Sequence, residues 1–293
     1  MRLQGIIPAL VTPISNDGTK LNKEALKNLT GYILENGADG VCVLGGTGEY
    51  CALSDEIKAS AIETVVEKIN GKIPVIAGIV EAGLGNTLAW VKQSKTLGAD
   101  AAMVVTPFYG SASQRGMIDY YCRISDNVDI PLVLYNVPYR TGSNMTPKTV
   151  VEIATKANIA AVKECSPDMG QVQNLVKLAG DKISVLSGED RSVVLQMTFG
   201  VKGGILASAV LLPSIWADIY KTVQSGDLKS AIEKHQKLLP FFNAVFAESN
   251  PGPLKAALNL KGFNVGPTLP PLTKIRDDNL QKLKEELNDL FCL

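Results

Sequence analysis

Short apolar runs alternate along the chain with longer stretches in which apolar residues recur every three or four positions. The short runs have the pattern of buried strands and the longer ones that of amphipathic helices. Gly5–Pro13 reads as a strand, and Asn22–Asn36 as a helix with Ala25, Leu26, Leu29 and Ile33 on one face. Gly40–Leu44 is the next strand, after which Ser54 caps a helix carrying Ile57, Ala61, Ile62, Val65 and Ile69 at helical spacing. Pro74–Ile79 is a third strand, followed by a helix near Asn86–Leu97. Ala102–Pro107, Pro131–Pro138, Ile159–Cys165, Ile183–Gly188 and Gly203–Ser208 bring the strands to eight. Thr146-Pro147 opens a further helix, with threonine as N-cap and proline in the first turn.

The joints between elements repeat too. Gly37-Ala38-Asp39-Gly40 and Gly98-Ala99-Asp100-Ala101, 61 residues apart, each close a helix and open a strand. Alternating strands and helices imply a parallel sheet, and eight units favour an α/β fold of the (βα)8 TIM-barrel type. After about Gln224 the strand pattern stops, and Lys229–Phe246, Pro253–Leu260 and Asp278–Leu290 read as helices. The expected organisation is a catalytic barrel over residues 1–223 and a C-terminal helical appendage over 224–293.

Composition removes several function classes. The 29 basic and 29 acidic residues balance, so no net field draws nucleic acid or an anionic membrane. No segment holds eighteen unbroken apolar residues, and the N-terminal run is interrupted by Pro8 and Pro13, so the cytoplasm is the expected location. The five cysteines (Cys42, Cys51, Cys122, Cys165 and Cys292) show no CxxC spacing, which argues against a disulfide framework or a zinc site. His235 is the single histidine, so acid–base chemistry falls to Lys, Tyr, Asp, Glu or Cys, and no metal is expected.

In a (βα)8 barrel the site lies at the C-terminal ends of the strands. Those ends hold Gly45-Gly46-Thr47-Gly48-Glu49, Thr106-Pro107-Phe108-Tyr109, Tyr135-Asn136-Val137-Pro138-Tyr139-Arg140-Thr141-Gly142, Ser187-Gly188-Glu189 and Gly203-Gly204-Ile205. Among them, Ile159-Ala160-Ala161-Val162-Lys163-Glu164-Cys165 carries a lysine out of an apolar run. A buried lysine is rare; desolvation depresses its pKa, and the free amine can then form a Schiff base. The competing reading is a strand end whose lysine snorkels to water. Tyr135 reads equally as a packed barrel aromatic, and Arg140 as half of a surface ion pair. Glycines 45, 46 and 48 fit a tight turn as well as an anion site, and match neither the P-loop nor the dinucleotide spacing.

Taken with Leu186-Ser187-Gly188-Glu189-Asp190 and Asn250-Pro251-Gly252-Pro253-Leu254-Lys255, these motifs resemble the dihydrodipicolinate synthase/N-acetylneuraminate lyase family of pyruvate-dependent class I aldolases over nearly the whole length. The resemblance implies that Lys163 forms the imine with pyruvate and that Tyr135 donates and accepts protons. Thr47 and nearby N–H groups, Gly46 among them, would hold the pyruvate carboxylate, and the backbone of Ile205 would line the pocket. Tyr109 would complete a proton relay in a neighbouring subunit, implying a homodimer or tetramer. No cofactor is implied beyond the covalent imine. Arg140, in the Tyr-Asn-Val-Pro-x-Arg-Thr-Gly form, resembles the synthase branch, where it binds the carboxylate of aspartate semialdehyde. The implied product is 4-hydroxy-tetrahydrodipicolinate, on the route to lysine.

Two stretches depart from the synthase pattern. Gly46 stands where a hydroxyl residue usually precedes the threonine, and Gly78–Asn86 lacks the usual Gly-Thr-Gly-x-Asn. Phe108 also replaces a tyrosine common in lysine-inhibited members. These departures fit an alternative: a paralogous aldolase, dehydratase or deaminase acting on another keto acid, such as a keto-deoxy sugar acid. A barrel that binds a keto acid without turning it over, and a phosphate-binding barrel isomerase, are further alternatives. Retention of Lys163, Tyr135 and Thr47 argues against the first of these, and only the glycines favour the second.

Overall fold

The computed structural model describes residues 2–291; Cys292 lies outside them. Eight parallel strands run in the order β1-β8-β7-β6-β5-β4-β3-β2. They are β1 (Gly5–Pro8), β2 (Val41–Leu44), β3 (Val75–Ile79), β4 (Ala101–Val105), β5 (Leu132–Asn136), β6 (Ile159–Glu164), β7 (Ser184–Ser187) and β8 (Gly203–Leu206). A bridge between Ala9 and Cys42 joins β1 to β2 and closes the barrel. Helices return the chain between strands: α1 (Lys23–Glu35), α2 (Asp55–Ile69), α3 (Leu84–Thr96), α4 (Gln114–Asn127), α6 (Pro147–Lys156), α7 (Met169–Ala179), the short α8 (Val193–Met197) and α9 (Pro213–Gln224). A one-turn helix, α5 (Pro138–Thr141), sits in the loop after β5. Beyond α9 come α10 (Leu228–Gln236), α11 (Leu239–Val245), α12 (Gly252–Leu260) and α13 (Asp277–Phe291). None of these helices is long and apolar enough to cross a membrane.

Strand alternation divides the core into two layers. Ile7, Cys42, Ile76, Met103, Val133, Ala161, Leu186 and Ile205 fill the barrel interior. Their outward neighbours, such as Ile6, Val43, Ala77, Val104, Leu134 and Val162, pack against the helices. Lys163 and Tyr135 fall on the inward register. Both repeated joints do the same work at the floor of the barrel: Asp39 accepts from Ile6 N at 2.7 Å, and Asp100 accepts from Val75 N at 2.8 Å. Each aspartate thus pins the start of its own strand to the start of the preceding one.

Two expectations need correction. The first strand ends at Pro8 rather than Pro13, although Leu10, Val11 and Ile14 remain buried. Leu10 N still donates to Cys42 O of β2, but beyond it the run leaves the parallel sheet and is covered by the late chain, with Ile14 N donating to Val265 O, so its hydrophobicity records burial rather than strand pairing. The helix expected over 229–246 is two helices, α10 and α11. Pro240 has no N–H and its ring would strike the carbonyl of Gln236, so it sits in the first turn of a new helix.

Candidate active site

The inward, C-terminal end of the barrel places Lys163 and Tyr135 side by side, paired in register on β6 and β5. Each is only 7% exposed, and Lys163 Nζ lies 4.6 Å from the Tyr135 ring centroid. The stem of Lys163 needs the glycine opposite it. A Cβ on Gly188 would collide with Cys165 Sγ and come within 2.8 Å of Lys163 Cε. Burial disfavours the ammonium of Lys163, but Tyr135, Cys165, Cys42 and Asp190 around it act the other way, and its pKa is pushed up to about 12. Burial by itself acts in the expected direction, towards the neutral amine, and the rise comes from neighbours that oppose it only once they ionise. Burial raises the Tyr135 phenol, against the pull of Lys163. Attack on a carbonyl carbon requires the amine in its neutral form.

The turn after β2 brings up the neutral donors. Leu44, Gly45 and Glu49 all adopt positive φ (68°, 79° and 57°), a left-handed succession that folds residues 45–48 tightly over the barrel mouth. Thr47 is 7% exposed, and its Oγ1 accepts from Asn250 Nδ2 at 2.9 Å. Among the described residues, the N–H groups of Gly46 and Thr47 donate to no protein acceptor. Gly46 leaves a gap: a Cβ there would stand 4.0 Å from Tyr135 Oη and 3.9 Å from Arg140 Nη1.

Arg140 lies on α5, begun by Pro138 at its first position and closed by Gly142 at φ 66°. This turn was not foreseen from the sequence, where the segment reads as the end of a strand. No carboxylate of the described residues lies within 4 Å of the exposed guanidinium, so the surface ion-pair reading does not hold. The loop is tied to the strand carrying the lysine. Glu164 accepts from Asn136 Nδ2 at 2.9 Å, Ser166 N at 2.7 Å and Gln171 Nε2 at 3.3 Å, while Asn136 Oδ1 accepts from Met145 N. Burial pushes the Glu164 carboxyl up to about 7 against those hydrogen bonds.

These groups face one cavity of about 400 Å³, lined by Thr47, Tyr135, Arg140, Lys163 and Ile205 among others. A second cavity of about 350 Å³ meets it at Gly46, Tyr135 and Arg140. At the outer rim the Tyr139 hydroxyl donates to Glu189 at 3.1 Å. Ile205 is fully buried on β8. Of the residues singled out in the sequence, Tyr109 alone stays away: it is fully exposed, at φ 70°. Asn250 opens the Asn250–Lys255 motif, whose sequence implies no role for its side chain. Its contact with Thr47 spans 203 residues, a separation that no local pattern reveals.

A parallel barrel that presents a buried amine, a phenol and a guanidinium at its C-terminal mouth has the equipment of an enzyme of carbonyl chemistry. Comparison with known proteins narrows that class. The chain belongs to the dihydrodipicolinate synthetase family, whose family model matches residues 2–290. It is thereby a lyase of the class I aldolase type. A 4-hydroxy-tetrahydrodipicolinate synthase of Methanopyrus kandleri is 37% identical over 293 residues, covering 100% of this chain and 98% of that protein. One from Geobacter is 39% identical over 280 residues, covering 96% of each. The crystal structure of dihydrodipicolinate synthase from Thermotoga maritima superposes with a TM-score of 0.96 at 35% identity, covering 100% of both chains.

Proposed function

We propose that the chain condenses pyruvate with aspartate semialdehyde to 4-hydroxy-tetrahydrodipicolinate through an imine on Lys163. The observation that carries the reading is the pairing of Lys163 with Tyr135 at the mouth of the cavity that Arg140 and Thr47 also line. Lys163 loses its proton and adds to the keto carbon of pyruvate. Tyr135 supplies and recovers the protons needed for water to leave and the imine to form. Loss of a methyl proton then gives the enamine, whose terminal carbon bonds to the aldehyde carbon while the aldehyde oxygen takes up a proton. The substrate's own amine attacks the imine carbon and releases Lys163, closing the ring. Thr47 and the free N–H groups beside it receive the pyruvate carboxylate, and the planar fork of Arg140 receives that of the semialdehyde. Ile205 bounds the pyruvate pocket, and no cofactor takes part.

The full exposure and left-handed backbone of Tyr109 support a further element of the reading. This side chain serves a second copy of the chain, in a dimer or tetramer. Gly46 favours a second reading, in which a keto-deoxy sugar acid replaces the semialdehyde, because the gap beside Tyr135 and Arg140 leaves room for a bulkier partner. Incubation with pyruvate, borohydride reduction and mass spectrometry test the first step: the adduct is expected on Lys163 and absent from Lys163→Ala. An adduct that persists in that variant refutes the mechanism. Turnover near background with aspartate semialdehyde, beside good turnover of a keto-deoxy acid, would replace the first reading by the second.

A further inference from the structure

We infer that Asn250 is a positioning residue for the carboxylate cradle, aligning Thr47 so that its hydroxyl hydrogen is free for the keto acid. The inference rests on the reading of Thr47 given above. A hydroxyl has one donor and two acceptor positions. Asn250 Nδ2 donates to Thr47 Oγ1 at 2.9 Å and so fills an acceptor position. Thr47 Oγ1 makes no other hydrogen bond among the described residues, and both side chains line the same cavity. The hydrogen is left for a ligand, and an anion is the ligand that such a donor suits. Among the described residues the amide makes its hydrogen bond through its donor side alone, since Asn250 Oδ1 is buried without a partner there.

The same late segment grips the turn a second time. Lys255, on α12, pairs with Glu49 at 2.6 Å, with both side chains only 2% exposed. Glu49 Oε2 accepts from Leu269 N at 2.7 Å, and Lys255 Nζ donates to Pro267 O at 2.7 Å. Residues 250 and 255 therefore hold residues 47 and 49 across the junction between the barrel and the late helices. The motif Asn250-Pro251-Gly252-Pro253-Leu254-Lys255 acquires a function from this: it fixes the position and the hydrogen-bonding polarity of the cradle.

The test uses the full chain and measures the pyruvate concentration giving half-maximal borohydride-trapped adduct on Lys163. Acetone, with the same methyl ketone and no carboxylate, is the control. Asn250→Ala is expected to raise the half-maximal pyruvate concentration about ten-fold, the scale of one hydrogen bond in the cradle. Asn250→Asp, which offers only acceptors, would capture the Thr47 hydrogen and raise it further. Trapping with acetone should be unchanged in both. In a Thr47→Val background, Asn250→Ala should add less than about two-fold, because the group it aligns is gone. Melting temperatures accompany each variant, and Asn250→Ser takes the place of alanine if that variant does not fold. Wild-type pyruvate dependence in Asn250→Asp, or an undiminished Asn250→Ala effect in the Thr47→Val background, overturns the inference. Absence of any adduct in the wild type removes instead the role of Lys163 on which it stands.

Discussion

Gly46 is the position at which a small change tests the most. Its backbone lies outside the left-handed region, and a Cβ there would meet Tyr135 Oη at 4.0 Å and Arg140 Nη1 at 3.9 Å, ordinary contact distances. Gly46→Ser should therefore fold without displacement. The Cβ–Oγ bond adds roughly 1.4 Å, so a hydroxyl aimed at Tyr135 would stand roughly 2.6 Å from its oxygen, within O–H···O range. The Tyr135 hydroxyl has no protein hydrogen-bond partner among the described residues, and a serine would fix the direction of its proton. One such bond is worth about 0.5–1.5 kcal/mol net, which at the transition state is about two- to twelve-fold in rate. The rate of imine formation, by rapid quench with borohydride, and steady-state turnover of aspartate semialdehyde should rise within that range in Gly46→Ser. They should not rise in Gly46→Ala, which adds the carbon without the hydroxyl. A serine variant that melts like wild type yet forms the imine no faster would refute the reasoning. It would show that proton delivery to Tyr135 does not pass through position 46.

Two further outcomes follow from the geometry. Lys255→Met strands the Glu49 charge in the interior, a loss of about 3–5 kcal/mol. With about 2.1 cal/mol/K of unfolding entropy per residue over 293 residues, the melting temperature should fall by about 5–8 °C. Calorimetry should show most of that recovered when Glu49→Gln accompanies it, and melting of the single variant within a degree of wild type would contradict a buried ion pair at 2.6 Å. The second outcome concerns pH. Because Lys163 is raised to about 12, its neutral fraction grows about ten-fold per unit below that value. The initial rate of imine formation in the free enzyme should therefore climb between pH 7 and 9, whereas a flat profile would mean that the amine is already neutral.

The strands and helices were legible because burial leaves a period-two or a continuous apolar imprint on a strand and a 3.6-residue imprint on a helix. Where burial and hydrogen bonding part company, the imprint misleads. Val11, Pro13 and Ile14 are buried outside the parallel sheet, and Pro240 breaks a helix whose apolar pattern runs through it. Lys163 could be found as an anomaly in an apolar run, and family resemblance set Tyr135, Thr47 and Arg140 beside it. The protonation of the lysine could not be read in the same way. Desolvation is a property of its own site, but the opposing field comes from Cys42, Cys165 and Asp190 as well as Tyr135, on β2, β5 and the ends of β6 and β7.

By itself, then, the amino-acid sequence determined the repeating βα units, the polar residues gathered at the strand ends and the lysine in their midst, since these depend on neighbours a few positions away. Tertiary structure alone decided that Lys163 faces Tyr135 in register, that Arg140 has no carboxylate partner among the described residues and that Tyr109 turns outward. It also joined Asn250 to Thr47 across 203 residues of chain. Such contacts depend on closure of the barrel and docking of the late helices, and those positions are set by packing over the whole core.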